Sequence, residues 1–268
     1  MTKFRTIFTH VFLCIASFLS IFPFFWMIVG MTNTSTDIIK GKLTFGSELL
    51  ANISNFINSV NLGSILWTST KIAILGTLFT LLLCSMAGYG FEIYKSKIKS
   101  RLMSLLMLSM MMPFAAIMVP LFKMFSNLKL MNTATAVILP SLATAFMIFF
   151  FLQNTKSFPK DLLQSARVDG LNEFQAFFYI FMPSMKSTYA AAAIITFMSY
   201  WNSYLWPLIV LQNENNKTMP LIISSLASAY SPDYGMIMVA IVITTIPTVL
   251  IFFLMQKHFV EGMVGSVK

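Results

Sequence analysis

The chain has 268 residues, of which 57% are hydrophobic and 10% charged, with a net charge of +9. A soluble domain carries about 25% charged residues, so there is too little polar surface to cover a globule and an ordinary soluble protein is excluded. The 18 Lys and Arg lie scattered between apolar runs and form no stripe, which argues against nucleic acid; basic loops beside anionic lipid account for the excess.

A bilayer-spanning helix needs about 20 mostly apolar residues. Six uncharged runs qualify, at Val11–Met31, Ile72–Gly90, Leu102–Phe122, Met131–Leu152, Ser187–Leu211 and Gly235–Met255. The composition and these runs predict an all-α membrane protein with six transmembrane helices. Lys3 and Arg5 precede the first run, as they would in a secretory signal. The run is long for a signal and has no clear small-x-small cleavage site, so the expectation is an uncleaved anchor.

Cytoplasmic loops are enriched in Lys and Arg. With the N-terminus inside, the cytoplasmic pieces hold twelve of the 18 cations, including the cluster Lys95, Lys97, Lys99 and Arg101, and the outer pieces hold six. Both termini are therefore expected to be cytoplasmic. The outer connections are 32–71 and 212–234, the inner loop between spans four and five is 153–186, and the tail is 256–268. Pro23, Pro113, Pro120, Pro140, Pro207 and Pro247 fall in or near spans, where proline removes a hydrogen bond and tends to kink a helix. The small residues Ala190–Ala193 suit close helix packing.

The six runs contain no charged residue, whereas ion-driven carriers usually carry ionisable groups at depth. Any driving energy is expected to come from a partner. Cys14 and Cys84 sit in apolar runs without metal-ligand spacing and read as packing residues. His10 and His258 read as interfacial. The sequence has no phosphate-binding loop of the G-x-x-x-x-G-K-[ST] kind, so ATP is not expected to bind this chain.

The inner loop is a polar island. Pro159 suits a first helical position, and Pro159, Leu162, Leu163 and Ala166 follow the spacing of one apolar helix face. Gly170 suits a left-handed helix stop. Asn172 and Gln175 have the spacing of a capping box. Phe174, Phe177, Phe178 and Phe181 then predict the apolar stripe of a second short helix, closed by Pro183. Pattern alone allows an interfacial helix resting on the membrane or a shaped docking element.

The residues Gln164, Ser165, Ala166, Gly170, Ile180, Met182 and Pro183 resemble the signature of the cytoplasmic loop of bacterial ABC importer permeases. That signature reads Glu-Ala-Ala, three residues, Gly, nine residues, Ile, one residue, Leu-Pro. Gln164, Ser165 and Met182 depart from it. The resemblance extends to Met111–Pro113 with Val119–Phe122, to Trp201–Leu208 and to the ending Gln256–Lys268, which resemble the maltose-type, carbohydrate-uptake branch. It implies the six-span subunit of a permease heterodimer in a bacterial plasma membrane. It also implies two ATPase subunits that bind ATP and Mg, an extracellular sugar-binding protein, and no cofactor or catalysis in this chain. The docking corner would be Gln164, Ser165, Ala166, Asp169 and Gly170, with Ile180 and Pro183 setting the return into the next span. Loss of the signature's Glu removes an exposed ion pair worth at most about 1 kcal/mol, so docking is expected to survive. Glu261, Gly262 and Lys268 would belong to a tail reaching the ATPases. Trp201, Asn202 and Tyr204 have two readings, a sugar path or an interfacial belt. Glycerol-phosphate import, a stand-alone channel or facilitator, and a membrane enzyme are the rivals; the last has no His/Asp/Glu/Cys cluster in the spans to support it.

Overall fold

The computed structural model describes residues 2–264, with side chains described for 5–254 and Gln256. In chain order the helices are α1 Thr2–Gly30, α2 Ser35–Ile39, α3 Leu49–Ser59, α4 Leu62–Ile93, α5 Lys97–Ser109, α6 Phe114–Asn127, α7 Ala134–Ile138 and α8 Ala145–Thr155. There follow α9 Asp161–Val168, α10 Glu173–Gln175, a π-helical turn Ala176–Phe181, α11 Met182–Ser184, α12 Lys186–Trp201, α13 Leu205–Val210, α14 Met219–Ala227 and α15 Tyr234–Val264. The described residues include no strand.

Three helices, α1, α4 and α15, are each long and apolar enough to cross a membrane. The number rises to five if the pairs α5–α6, bent by 99°, and Ala134–Ser141 with α8, bent by 50°, each make one span. The third, fourth and fifth apolar runs are therefore not single helices. Pro113 stands at the N-cap of α6 and Pro140 lies in the short 3₁₀ turn Leu139–Ser141, so two of the expected kinks become full breaks. Pro23, Pro120 and Pro247 stay inside helices. α12 has 16 residues, short of the length a span needs alone, and Asn202–Tyr204 separate it from α13.

α4 extends well past its apolar window. Its 32 residues rise about 48 Å against a hydrocarbon core of about 30 Å. The helix therefore carries Lys71 and Glu92, and the expectation of charge-free spans holds only for the windows and not for the helices.

The chain divides into two compact units, Met1–Gly63 with Met219–Pro247 and Ser64–Thr218 with Thr248–Lys268. In the first, a Cβ on Gly30 would stand 3.0 Å from Met238. Asn52 Nδ2 donates to the carbonyls of Met31 and Asn33 at 2.9 and 3.0 Å, and Ser35 Oγ donates to Asp233 at 3.1 Å. The Gly30–Met238 approach and the Ser35–Asp233 bond join the two chain segments of this unit, and the Asn52 bonds brace the first of them. α1 buries none of its apolar window within the chain, the behaviour of a helix meant for lipid or a partner. In the second unit, Gly76 lies against the Tyr200 ring and Gly88 against the backbone of Phe151 and Leu152. Trp206 Nε1 donates to the Ala136 carbonyl at 2.8 Å.

Candidate functional site: the loop between α8 and α12

α9 is a short helix with one inward face. Leu163 and Ala166 are buried, while Leu162 is 45% exposed and Pro159 lies outside the helix, which begins at Asp161. The face expected from Pro159, Leu162, Leu163 and Ala166 is narrower because inward packing selects only the i, i+3 pair Leu163 and Ala166. Asp161 in the first turn and Arg167 in the last match the helix dipole.

Gly170 adopts φ +83° and ends α9 as a Schellman turn. Its N–H donates to the Arg167 carbonyl at 3.1 Å, and that of Leu171 to the Ala166 carbonyl at 3.0 Å. Asn172 then caps α10 in a reciprocal capping box with Gln175, both bonds at 2.9 Å. Two consecutive devices, one closing a helix and one opening the next, fix the corner without help from the core.

The next segment departs from the expected α-spacing. Ala176–Phe181 is a π turn, which accommodates one extra residue. Phe177 and Phe181 turn inward and stack with centroids 5.4 Å apart, whereas Phe174 and Phe178 are left 68% and 41% exposed. The predicted stripe of four Phe is thus split between an inner and an outer face. Tyr89 from α4 meets Phe177 and Phe181 edge-on at 5.3 and 4.9 Å, and Phe158 packs on Phe181 at 5.2 Å. Phe158, Leu163, Ala176, Phe177, Phe181 and Met185 form one core with Tyr89, so the loop folds around the end of α4.

Two polar ties bind the loop to the same end of α4. Glu92, almost fully buried, accepts from Lys95 at 2.7 Å and from Lys160 at 3.0 Å. Glu173 accepts from Arg167 at 2.8 and 3.3 Å, from the Tyr89 hydroxyl at 3.4 Å and from the Tyr94 hydroxyl. The Arg167 guanidinium, with Tyr94 second, holds the Glu173 carboxyl below the usual range against the opposing effect of burial.

A group with a depressed carboxyl pKa stabilises the fold above its unfolded pKa, near 4.3 for Glu, and that contribution disappears as pH falls through the folded pKa. Amide exchange of residues 161–181 is therefore expected to be steady from pH 8 to 5 after correction for intrinsic rates, and to rise below that. A rise between pH 8 and 6 instead would contradict it. Both Arg167 and Glu173 are well exposed, so the effect is a fraction of a surface ion pair, itself about 0.2–1 kcal/mol.

The two lysines at Glu92 and the carboxylate are not equivalent. Lys95 and Lys160 are 64% and 46% exposed, while Glu92 is 4% exposed at its side chain. Removing both lysines strands a buried charge, at a cost of about 3 kcal/mol or more. Glu92→Gln removes the charge and frees two lysines that reach water. The double variant Lys95→Ala/Lys160→Ala is expected to melt well below Glu92→Gln in a detergent thermal-shift measurement; the reverse order would refute this account of the tie.

The structure brings Gln164, Ser165, Asp169 and Gly170 to the exposed corner, beside Val168 at 86% and Phe174 at 68% exposure. Ala166 does not join them, because it lies i+3 from Leu163 and faces the loop core. Ile180 is half-buried and Pro183, in α11, is exposed. Glu92, Tyr89 and Glu173 were missed by motif reasoning. Their signal was the acid two residues past the apolar run ending at Gly90, and the opposite charges Arg167 and Glu173 flanking Gly170.

The other predicted positions are spread out. Trp201 is buried and stacks on Phe197 at 5.7 Å, while Asn202 and Tyr204 are exposed at the end of α12. A groove of about 670 Å³ beside the first half of α4 has a mainly apolar wall, including Leu75, Phe79 and Leu142, into which Trp67, Lys71, Asn132 and Asn216 bring an aromatic face and polar groups, a combination that sequence reasoning did not find. Lys268 lies outside the described residues, and Glu261 and Gly262 lie outside those described beyond the backbone. Among the described residues no group of three or more His, Cys, Asp or Glu could hold a metal.

The fold is that of an ABC importer permease. The chain superposes over 96% of its length on 97% of a chain in the crystal structure of a bacterial ABC transporter involved in the import of the acidic polysaccharide alginate, with a TM-score of 0.84 at 16% identity. It also matches 93% of a chain of the MetNI methionine ABC transporter, over 73% of its own length, with a TM-score of 0.58 at 16% identity. Residues 81–265 match the family of binding-protein-dependent transport system inner membrane components, and the chain belongs to that family. It is thus a multi-pass inner-membrane component of an ABC transport system.

Among its relatives, the lactose transport system permease protein LacG of Rhizobium radiobacter is 54% identical over 96% of this chain and 94% of that protein. The arabinooligosaccharides transport system permease protein AraQ of Bacillus subtilis is 36% identical over 96% and 94%. The sn-glycerol-3-phosphate transport system permease protein UgpE of Yersinia enterocolitica is 30% identical over 98% and 97%.

Proposed function

We propose that this chain is one of two related permease subunits of an ATP-driven importer for a neutral di- or oligosaccharide. The observation that carries the reading is the loop 153–186: its corner is pinned by a Schellman turn and a capping box, its core is shared with Tyr89, and its tip is exposed. An element pinned so firmly at its base and left bare at its tip suits a partner that pushes on it. In this reading the tip, with Gln164, Ser165, Asp169 and Gly170, docks on one of two ATPase subunits, and Glu92 and Glu173 pass its displacement to α4. ATP and Mg are held by those partners, and this chain catalyses nothing.

α12 with α13 would complete six spans, with both termini cytoplasmic and the cation-rich side facing in. The tail 256–268 would reach the ATPases. Segment 32–71, whose last ten residues the structure gives to α4, and segment 212–234 would face a sugar-binding protein outside. The sugar reading is supported by the lactose and arabinooligosaccharide systems of the more similar relatives. Glycerol phosphate is favoured less, because the relative named for it is less similar, at 30% identity against 54% and 36%. The groove holding Trp67, Asn132 and Asn216 offers an aromatic face and amides to a sugar.

Affinity purification of the tagged chain from its native membrane tests the assembly. Recovery of a second permease and an ATPase is expected. Recovery of this chain alone, and active, would favour a channel or facilitator.

A further inference from the structure

A second concavity lies at the end of α4 opposite to the groove of Trp67. It is a groove of about 970 Å³ between that end, α5 and α8, at the upper limit of small-ligand sites. Its wall is apolar, built from Phe91, Met103, Met107, Phe149 and Leu152. Leu108, 58% exposed, stands at its edge. Lys95, Lys97, Lys99 and Lys156 line the same groove. We infer that this groove binds one anionic phospholipid, with the phosphate among the lysines and the acyl chains against the apolar wall.

The charge balance carries the inference. Glu92 is the acid lining the groove, and it is already shared between Lys95 and Lys160. The Lys97 ammonium makes no ion pair or hydrogen bond with a described residue. Lys99 donates to the Gly90 carbonyl at 3.0 Å and lies over the Tyr94 ring at 5.1 Å. Lys156 donates to Gln153 at 2.8 Å. Each of these ammonium groups has three donors, so Lys99 and Lys156 are held at the groove with donors to spare.

Cations that merely set topology need only sit near the interface. Here four converge on a single concavity whose remaining wall is apolar, the form of basic pockets between membrane helices that take anionic head groups. A free phosphate leaves the apolar wall unfilled, and a sugar finds no acceptors there beyond Glu92, Gln153 and the serines. The inference requires that this end of α4 meets a bilayer surface, which membership of an inner-membrane family supplies. It is independent of which sugar is carried and of how the loop couples.

The test uses the complex as purified in mild detergent, exposed to phosphatidylglycerol or phosphatidylcholine of matched chains and read by native mass spectrometry. Wild type is expected to retain phosphatidylglycerol severalfold more than phosphatidylcholine, and Lys97→Gln/Lys156→Gln to lose that preference. A benzophenone amino acid at position 108 of the otherwise wild-type complex is expected to label lipid. Equal retention of the two lipids, an unchanged preference in the variant, or a position-108 adduct to a protein chain would each overturn the assignment. Should the double variant fail to assemble, the benzophenone adduct still decides.

Discussion

Gly170→Pro is expected to leave the chain in the membrane and to abolish most ATP-driven uptake. Proline fixes φ near −65°, whereas Gly170 requires +83°. It also deletes the N–H that closes the turn on Arg167. The corner between α9 and α10 must then open, and the tip loses its direction. The damage stays local, because nothing lies within 4 Å of a Cβ placed at Gly170, so the spans and their insertion are untouched. A coupling free energy of the usual size, about 1–3 kcal/mol, corresponds to roughly 5–150-fold, and uptake is expected to fall within that range. Gly170→Ala keeps the N–H and meets only the left-handed strain of about 1–2 kcal/mol, so its defect is smaller. Uptake and membrane content, measured on the same preparations, separate coupling from insertion; undiminished uptake by Gly170→Pro contradicts the proposed role.

Gly88→Val is expected to be the most destabilising substitution of an α4 glycine. A Cβ there would stand 2.7 Å from Phe151 Cβ, 2.8 Å from the Leu152 amide nitrogen and 3.0 Å from the Phe151 carbonyl carbon. Two of these atoms are backbone, so no rotamer change relieves the clash and α4 must part from α8. Parting them unpacks Phe151, Met147 and Cys84, all buried in one cluster. Overpacking of this kind costs about 1–3 kcal/mol, occasionally more, and a backbone obstacle places Gly88 at the upper end. Gly76 differs: its neighbour is the Tyr200 ring at 2.7 Å, a side chain that can tilt at the expense of its 3.0 Å bond to Thr80. Gly90 has nothing within 4 Å, and alanine there gains up to about 1 kcal/mol of helix propensity. The expected order of melting temperature in detergent is Gly90→Ala, wild type, Gly76→Ala, Gly88→Ala, Gly88→Val. A Gly88→Val variant as stable as wild type would show that the α4–α8 contact is looser than described.

The loop's punctuation was legible because it is local. Gly170, Asn172 and Gln175 act through backbone bonds spanning a few residues, and their types announce that chemistry. The Phe stripe was misread because a π turn depends on the core it packs against, and Tyr89 lies some ninety residues away in sequence. The ties at Glu92 and Glu173 were hidden for the same reason: a lone acid becomes informative only when folding brings Lys160 or Tyr94 to it. Apolar runs located the membrane helices, but Ser64, Thr68, Ser69 and Lys71 dilute the start of α4, so its first turns read as loop. The breaks at Pro113 and Pro140 exceed a kink because neighbouring segments fold separately on either side, which proline alone does not reveal.

The most direct test of the central claim is sugar uptake into proteoliposomes containing the purified complex, with ATP enclosed and the binding protein supplied outside. Accumulation of a lactose- or arabinose-type oligosaccharide that requires both ATP and the binding protein is the predicted result. Equal uptake without ATP, driven only by the sugar gradient, would contradict it and make the chain a facilitator.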